Sequence, residues 1–277
     1  MEPARVSCSE YSFPAVPTQH ARIGIVRLLG FDLVDVALFL TEGSSLTSDP
    51  GAIAASLRSS LTEHDLVTED VFLTVGGTVE KIAPNQRDRG LRARGRLEFS
   101  AGARVAAELG APGITILPGV TWAEDPEAAW ATCVEELAWR VDEASALGVE
   151  VRIEPHAGSI APVPELVSRL CADVPGLRLT LDLSHFELQS VTLDRMLTLV
   201  PLAGHLHVRA AKPGAIQVRW RDNETDVGAL VAGLRESEYA GAYCVEYVPM
   251  PKWRCDELDV VTEALATRDA LAALGVV

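Results

Sequence analysis

The sequence lacks the features of a secreted, membrane-spanning or disulfide-stabilised protein. Only five of its 277 residues are cysteine, and these are scattered without a C-x-x-C pair. This spacing argues against a disulfide framework or a cysteine zinc site, and it favours a reducing cytosol. No apolar run approaches the roughly 18 residues that span a bilayer, and the first segment lacks the pattern of a secretory signal. We therefore expect a cytoplasmic protein with no membrane partner.

Positive charge is also scarce. The chain carries 24 lysine and arginine residues against 39 aspartate and glutamate residues, so its formal net charge is −15. A field of this sign repels a nucleic-acid backbone, and we expect no nucleic-acid partner. The densest basic segment, RDRGLRARGR (Arg87–Arg96), is typical of a solvated helix start. A contact surface or a phosphate-facing loop is the alternative there.

Apolar strands and amphipathic helices alternate along the chain. The clearest buried strand is LVDVALFL (Leu33–Leu40), and the best-defined helix begins at Asp125 and Pro126. With YSFPAVP (Tyr11–Pro17) as the first strand, eight strand–helix units follow this rhythm. The period predicts an α/β fold, a single (β/α)8 TIM barrel formed by one domain over residues 1–277. A doubly wound open sheet is the alternative, but the sequence lacks its G-x-G-x-x-G fingerprint.

Polar side chains interrupt the apolar pattern where four consecutive predicted strands end. They are Glu154 and His156 after the fifth strand, Asp182 and His185 at the end of the sixth, His205, His207 and Arg209 on the seventh, and Glu246 on the eighth. The carboxyl ends of barrel strands carry the active site in this type of fold. Buried carboxylates repel one another and cost free energy when they are unpaired. A divalent cation removes both costs, and carboxylate with imidazole suits Mn²⁺, Mg²⁺, Co²⁺ or Zn²⁺.

Each of these residues also has an ordinary structural interpretation. Taken alone, Glu246 would be a salt-bridged core carboxylate, Asp182 would cap a loop, and His205 would be a satisfied core histidine. The metal site is predicted by the convergence of four strand ends and by no single residue. His20 and His64 fall on or near predicted helices, and we expect neither to have a catalytic role.

The segments IEPHAGS, LDLSHF, HLHVRAAKPG and YAGAYCVEYV resemble the xylose isomerase-like TIM-barrel superfamily. This superfamily contains sugar phosphate isomerases and epimerases and also AP endonuclease family 2. The resemblance is specific in the second half of the chain, and in the first half it rests on the strand–helix rhythm. It implies one bound divalent metal ion. Mn²⁺ is the first candidate, and Mg²⁺, Co²⁺ and Zn²⁺ are the alternatives. The residues that match the family's metal ligands are Glu154, Asp182, His207 and Glu246.

The resemblance implies a metal-dependent isomerase or epimerase whose partner is a small sugar, sugar phosphate, keto-sugar or cyclitol. In such enzymes one carboxylate removes a proton beside a metal-bound carbonyl, and a second group returns a proton. We expect Glu154 and Glu246 to be the catalytic pair, and His185, Arg209 and His156 to bind substrate. A dehydratase or lyase that uses the same deprotonation is an alternative, as is a catalytically degenerate scaffold. Assembly of this chain into a homo-oligomer is a further open alternative.

Two features depart from the family pattern and leave the substrate undefined. Ala210 stands where relatives often carry an acidic residue, and RWRDNETD (Arg219–Asp226) replaces a glycine-containing segment. The endonuclease branch would need additional histidines for a trinuclear zinc site, and the strand ends LTVGG and TILPG contain none. Together with the acidic charge, this favours sugar chemistry over an endonuclease.

Overall fold

The computed structural model describes residues 5–40, 43–76 and 83–276, and its strands form a closed parallel barrel. The strands are β1 (Arg5–Ser9), β2 (Leu33–Leu40), β3 (Val67–Val75), β4 (Gly113–Ile116), β5 (Glu150–Ile153), β6 (Arg178–Asp182), β7 (Ala203–Val208) and β8 (Ala242–Val245). They hydrogen-bond in chain order, and β8 pairs with β1 to close the ring. The predicted (β/α)8 TIM barrel is therefore confirmed.

Helices connect successive strands. They are α1 (Gln19–Leu28), α2 (Pro50–His64), α3 (Arg89–Leu109), α4 (Pro126–Ser145), α5 (Pro164–Asp173), α6 (Ser184–Glu187), α7 (Leu193–Leu197), α8 (Val227–Glu236) and α9 (Val260–Ala273). The start of α4 follows the sequence signal, because the Asp125 side chain accepts a hydrogen bond from the Ala128 amide and Pro126 occupies the first turn. Among the described helices, none has the length and apolar character to cross a membrane.

The first strand lies earlier in the chain than the predicted segment Tyr11–Pro17, and that prediction is wrong. The strand is Arg5–Ser9, and Tyr11 belongs to a 3-10 turn over Glu10–Ser12. The predicted segment contains two prolines, which have no amide to donate to a sheet. The short polar sequence RVSCS forms a strand because the neighbours β2 and β8 both supply backbone pairing.

Contacts between Cα atoms group the chain into two compact units. The first unit consists of residues 1–36, 60–69 and 181–277. In this unit His207 pairs with Cys244 and Val208 pairs with Val245 across β7 and β8. The next residues along these strands, Arg209 and Glu246, therefore leave the sheet at the same end.

The second unit consists of residues 37–59 and 70–180. Its strands β4 and β5 pair from Gly113 and Glu150 to Ile116 and Ile153. The amide of Glu154 donates to the carbonyl of Ile116 at 3.0 Å, so the ladder continues one residue beyond β5. Glu154 thus emerges at the carboxyl end of its strand. The organisation of residues 1–277 as one domain stays a prediction.

Tyr247 ties together the chain segments that follow β7 and β8. Its side chain is fully buried, and its amide donates to Ser12 Oγ at 3.0 Å. The hydroxyl accepts a hydrogen bond from the Ala210 amide at 3.2 Å and lies 2.9 Å from Thr267 Oγ1. Burial raises the pKa of this phenol, so it is neutral at physiological pH. Because Tyr247 directly follows Glu246, these bonds fix the backbone position of that carboxylate.

We expect Tyr247→Phe to lower the free energy of unfolding by about 1–3 kcal/mol, because the buried Ala210 amide loses its acceptor. Urea unfolding followed by circular dichroism measures this change. The control is Tyr239→Phe, whose hydroxyl donates to the Ala242 carbonyl at a part-buried position. Water can replace that bond, so the control should lose less stability. Equal losses in the two variants would contradict the role given to Tyr247.

Candidate metal and active site

Three side chains of the first unit converge at the carboxyl ends of their strands. Asp182 ends β6, His207 lies on β7, Glu246 directly follows β8, and each is at most 3% exposed. His207 Nδ1 lies 3.3 Å from Glu246 Oε2. Glu154, in the second unit, is also buried. The structure thus brings together Asp182, His207 and Glu246, three of the four residues predicted as metal ligands, and we call these three the primary group. Ligation by Glu154 stays a prediction.

Arg209 provides a fixed positive charge beside two of these carboxylates. Its Nη2 donates to Asp182 Oδ2 and lies 3.5 Å from Glu246 Oε2. Its Nε donates to Ser184 Oγ at 2.8 Å, and the Ser184 amide donates to Asp182 Oδ1 at the same distance. Arg209 is therefore held by the primary group itself. Its contact with substrate stays a prediction.

The positive neighbours keep both carboxyl groups ionised. Burial raises the pKa of Asp182, but Arg209 and His185 outweigh it and lower that pKa from 3.8 to about 2. Burial also opposes ionisation of Glu246, yet His207 and Arg209 hold the pKa of Glu246 below its usual value. Near neutral pH the site therefore presents two carboxylates beside one guanidinium.

A further buried carboxylate lies on the other side of His207. Asp35 on β2 places Oδ2 2.5 Å from His205 Nε2 and 3.7 Å from His207 Nε2, and its Oδ1 accepts from Ser7 Oγ at 2.7 Å. Although burial opposes its ionisation, the two histidines hold the pKa of Asp35 well below its usual value. His207 therefore turns Nε2 toward Asp35 and Nδ1 toward Glu246. In the metal-free chain Nδ1 faces the Glu246 carboxylate; with a cation bound, a proton kept on Nε2 beside Asp35 would leave the Nδ1 lone pair for the ion.

Asp35, His205, His207 and Cys244 form another group of potential ligand atoms within 4.8 Å of one another. This group suits a metal less well, because Asp35 and His205 already pair with each other. In addition, burial, Asp35 and other nearby groups raise the pKa of the Cys244 thiol well above its usual value. A metal bound here would have to displace the thiol proton, which weakens its binding. We therefore interpret Asp35 as the residue that orients His207. The sequence patterns gave no role to Asp35, although an acidic residue inside the buried strand LVDVALFL was a usable signal.

The other two predicted substrate-binding residues are both buried. His185 lies in α6 with Nε2 3.8 Å from Asp182 Oδ2, so it adjoins the primary group. His156 Nδ1 lies 3.0 Å from the carbonyl oxygen of Ala157, and burial lowers the pKa of His156 below its usual value. His156 is therefore neutral near pH 7. Substrate contacts by these two histidines stay predictions.

The donor set fits a divalent cation. Two carboxylates and an imidazole nitrogen are the ligands that Mn²⁺, Co²⁺ and Zn²⁺ accept in proteins. Glu246 Oε1 is buried and has no hydrogen-bond partner in the part of the chain that the structure describes. An unsatisfied buried carboxylate oxygen is costly, and a bound cation would remove that cost.

A family model for the xylose isomerase-like TIM barrel matches residues 23–272. The chain belongs to this family. The resemblance found in the sequence is thereby confirmed. The curated proteins contain no sequence match to this chain.

Solved structures of similar fold include three sugar epimerases. D-psicose 3-epimerase, solved in the presence of D-fructose, has a TM-score of 0.74 and 19% identity, with 97% of both chains covered. L-ribulose 3-epimerase has a TM-score of 0.76 and 16% identity, covering 99% of this chain and 94% of that one. The apo form of 3-keto-D-glucoside 4-epimerase from E. coli has a TM-score of 0.69 and 17% identity, with 98% of both covered. At these identities the likeness establishes a shared fold over nearly the whole chain.

We expect Arg209→Met to lower the free energy of unfolding in chelator-treated protein by about 3–5 kcal/mol, because two buried carboxylates lose their cation. Urea unfolding in metal-free buffer measures this loss. The control is Arg254→Met, which breaks the exposed pair with Glu257 and should leave stability nearly unchanged.

Repeating the measurement at several pH values tests the electrostatic cause. The pKa of Asp182 is lower in the folded chain than the ordinary 3.8, so its contribution is present above pH 3.8 and is lost as pH falls toward 2. The stability difference between wild type and Arg209→Met should therefore shrink in acid. A difference that grows as pH falls would contradict this explanation.

Proposed function

We propose that this chain is a divalent-metal-dependent sugar epimerase or isomerase that acts on the carbon beside a carbonyl group. The observation that carries the proposal is the primary group, in which buried carboxylates and an imidazole gather at strand ends. The likeness to D-psicose 3-epimerase and L-ribulose 3-epimerase supports a ketose as the substrate and epimerisation as the reaction. Membership of the xylose isomerase-like family agrees with this chemistry.

Glu154, Asp182, His207 and Glu246 would hold one divalent cation, with His207 contributing Nδ1. The oxygen and nitrogen donors favour Mn²⁺, and Mg²⁺, Co²⁺ and Zn²⁺ are the other candidates. When bound, such a cation polarises a substrate carbonyl and acidifies the neighbouring carbon. Asp35 supports this set because it faces His207 Nε2 and keeps the opposite nitrogen available.

Glu154 and Glu246 are our candidates for proton transfer. The two oxygens of Glu246 differ, since Oε2 faces His207 and Arg209 while Oε1 has no hydrogen-bond partner among the described residues. One oxygen can therefore serve as a ligand while the other accepts a proton from the substrate carbon. A carboxylate of lowered pKa is a weak base, so it can act only on a carbon that is already acidified. A protonated Glu154 that donates its own proton to the same carbon from the opposite face gives epimerisation, and donation to the next carbon gives isomerisation; each carboxyl group then re-equilibrates its proton with solvent.

His185 and Arg209 are our candidates for binding substrate oxygens, because both adjoin Asp182 in the first unit. His156 is the third candidate. The substrate class is a small sugar, keto-sugar or cyclitol, with or without a phosphate. Ala210 is buried and adds no charge at a position that is often acidic in relatives. The segment that follows, Arg219–Asp226, contains a 3-10 turn whose Trp220 amide donates to Glu263 at 2.6 Å.

The reaction is tested by hydrogen exchange in ²H₂O. Metal-free protein is supplied with Mn²⁺ and a panel that includes D-psicose, D-fructose, D-tagatose, L-ribulose and an inosose, and NMR follows the carbon beside the carbonyl. We expect metal-dependent ²H incorporation accompanied by the epimer, and a loss of about 10²-fold or more in Glu246→Gln. The control Glu257→Gln, on the exposed surface, should keep the wild-type rate.

The product distinguishes the reactions that share this first step. An epimer shows epimerisation and an aldose shows isomerisation, and either product supports the proposal, whereas a dehydrated product indicates a lyase. Absence of exchange with every compound, or exchange that persists in Glu246→Gln, would overturn the proposal. A cytoplasmic location and a homo-oligomer stay predictions.

The positioning role of Asp35 has its own test. We expect Asp35→Asn to weaken Mn²⁺ binding by roughly 10–100-fold, because His207 loses the carboxylate that fixes its tautomer and orientation. Titration followed by Mn²⁺ electron paramagnetic resonance measures the affinity, and circular dichroism verifies the fold. The control Asp32→Asn changes an exposed carboxylate of the same chain segment. An unchanged Mn²⁺ affinity in Asp35→Asn would show that Asp35 is merely structural.

A further inference from the structure

A separate set of potential metal ligands lies on the helices of the first unit. His20 is on α1, Glu63 and His64 end α2, and one ligand atom from each lies within 4.8 Å of the others. His20 Nε2 is 3.7 Å from Glu63 Oε1, and the two imidazole centroids are 4.8 Å apart. The side chains of His20 and Glu63 are 48% and 64% exposed, so an ion can reach them from solvent. We call these three residues the helix cluster.

A hydrogen bond orients His20 within the helix cluster. His20 Nδ1 lies 3.0 Å from Ser60 Oγ, one turn before His64 on α2. When Nδ1 carries the proton and donates it to Ser60, the lone pair on Nε2 is directed toward Glu63. Metal-binding histidines commonly use one nitrogen for such a bond and the other for the ion.

The position of His64 depends on a glycine in the facing helix. Gly24 lies one turn after His20 on α1, and a Cβ at this position would lie 2.9 Å from His64 Cε1 and 3.0 Å from Nε2. Glycine is unfavourable inside a helix. At this position, however, the missing side chain leaves the space that the His64 ring occupies. His64 Nε2 is enclosed there without a hydrogen-bond partner in the described ranges. The ring nitrogen nearest to α1 is therefore available to a ligand that carries positive charge.

We propose that His20, Glu63 and His64 bind one divalent cation of the zinc class. Two imidazoles and one carboxylate match the protein ligands of known zinc sites that leave a fourth position for water. The absence of a thiolate disfavours softer metals such as Cu⁺. The bound ion would join α1 to the end of α2, and its effect would be on stability, because binding to the folded chain alone raises the unfolding free energy. This agrees with the expectation that neither histidine is catalytic.

The test compares the number of Zn²⁺ ions bound per chain in wild type and in His20→Ala. A chromophoric chelator that competes with the intact chain for Zn²⁺ reports this number. Wild type should bind one more equivalent of Zn²⁺ than His20→Ala, whatever the primary group binds. Because His20 is half exposed, its removal should leave the fold intact. Gly24→Ala, which displaces the His64 ring, should also lose this equivalent, and Ser60→Ala should bind it roughly tenfold more weakly. The control Glu127→Gln, an exposed carboxylate on α4, should bind as wild type does.

Thermal unfolding gives an independent readout. Zn²⁺ should raise the Tm of wild type more than that of His20→Ala, and Glu63→Gln should fall between them because it keeps both imidazoles. The same zinc stoichiometry and the same zinc-induced rise in Tm in wild type and His20→Ala would overturn the proposal. Loss of activity plays no part in this test, so its outcome is separate from that of the proposed function.

Discussion

Two carboxylates can stay ionised inside a protein only when positive charge lies beside them. Asp182 and Glu246 are almost completely buried, and both have a lowered pKa because Arg209, His185 and His207 outweigh the effect of burial. Arg209 is the one group among these neighbours whose charge does not depend on pH near neutrality. Because one guanidinium faces two carboxylates, a negative charge remains that a divalent cation would neutralise, and the other features of the site keep these groups in place.

The fold satisfies this constraint through register and through buried hydrogen bonds. The pairing of β7 with β8 delivers Arg209 and Glu246 to the same end of the sheet. Tyr247 then holds the segments after both strands, since its hydroxyl accepts from the Ala210 amide and its own amide donates to Ser12. On the other side of His207, Asp35 faces the ring nitrogen that would not bind metal. Stability and site geometry thus depend on the same few buried polar contacts.

The sequence predicts the barrel and the convergence at strand ends because both follow from local periodicity. A strand that ends in Asp182 or Glu246 places its carboxylate at the barrel mouth once the strands are parallel. The first strand escaped prediction because RVSCS is short and polar, and its strand conformation depends on partners far along the chain. The bond from Arg209 to Asp182 and the contact of Asp35 with His205 join residues from different strands. Pairings of this kind depend on tertiary packing, which sequence spacing does not determine.

The helix cluster also depends on tertiary packing. His20 and His64 are far apart in the sequence, and only the packing of α1 against the end of α2 brings their side chains together.

The most direct test of the central claim is anomalous diffraction from crystals soaked in Mn²⁺. We predict one strong peak within about 2.0–2.4 Å of oxygen atoms of Asp182 and Glu246 and of His207 Nδ1. The claim would be contradicted if no anomalous peak lay beside Asp182 and Glu246 at saturating Mn²⁺ and Arg209 were the only cation in contact with them.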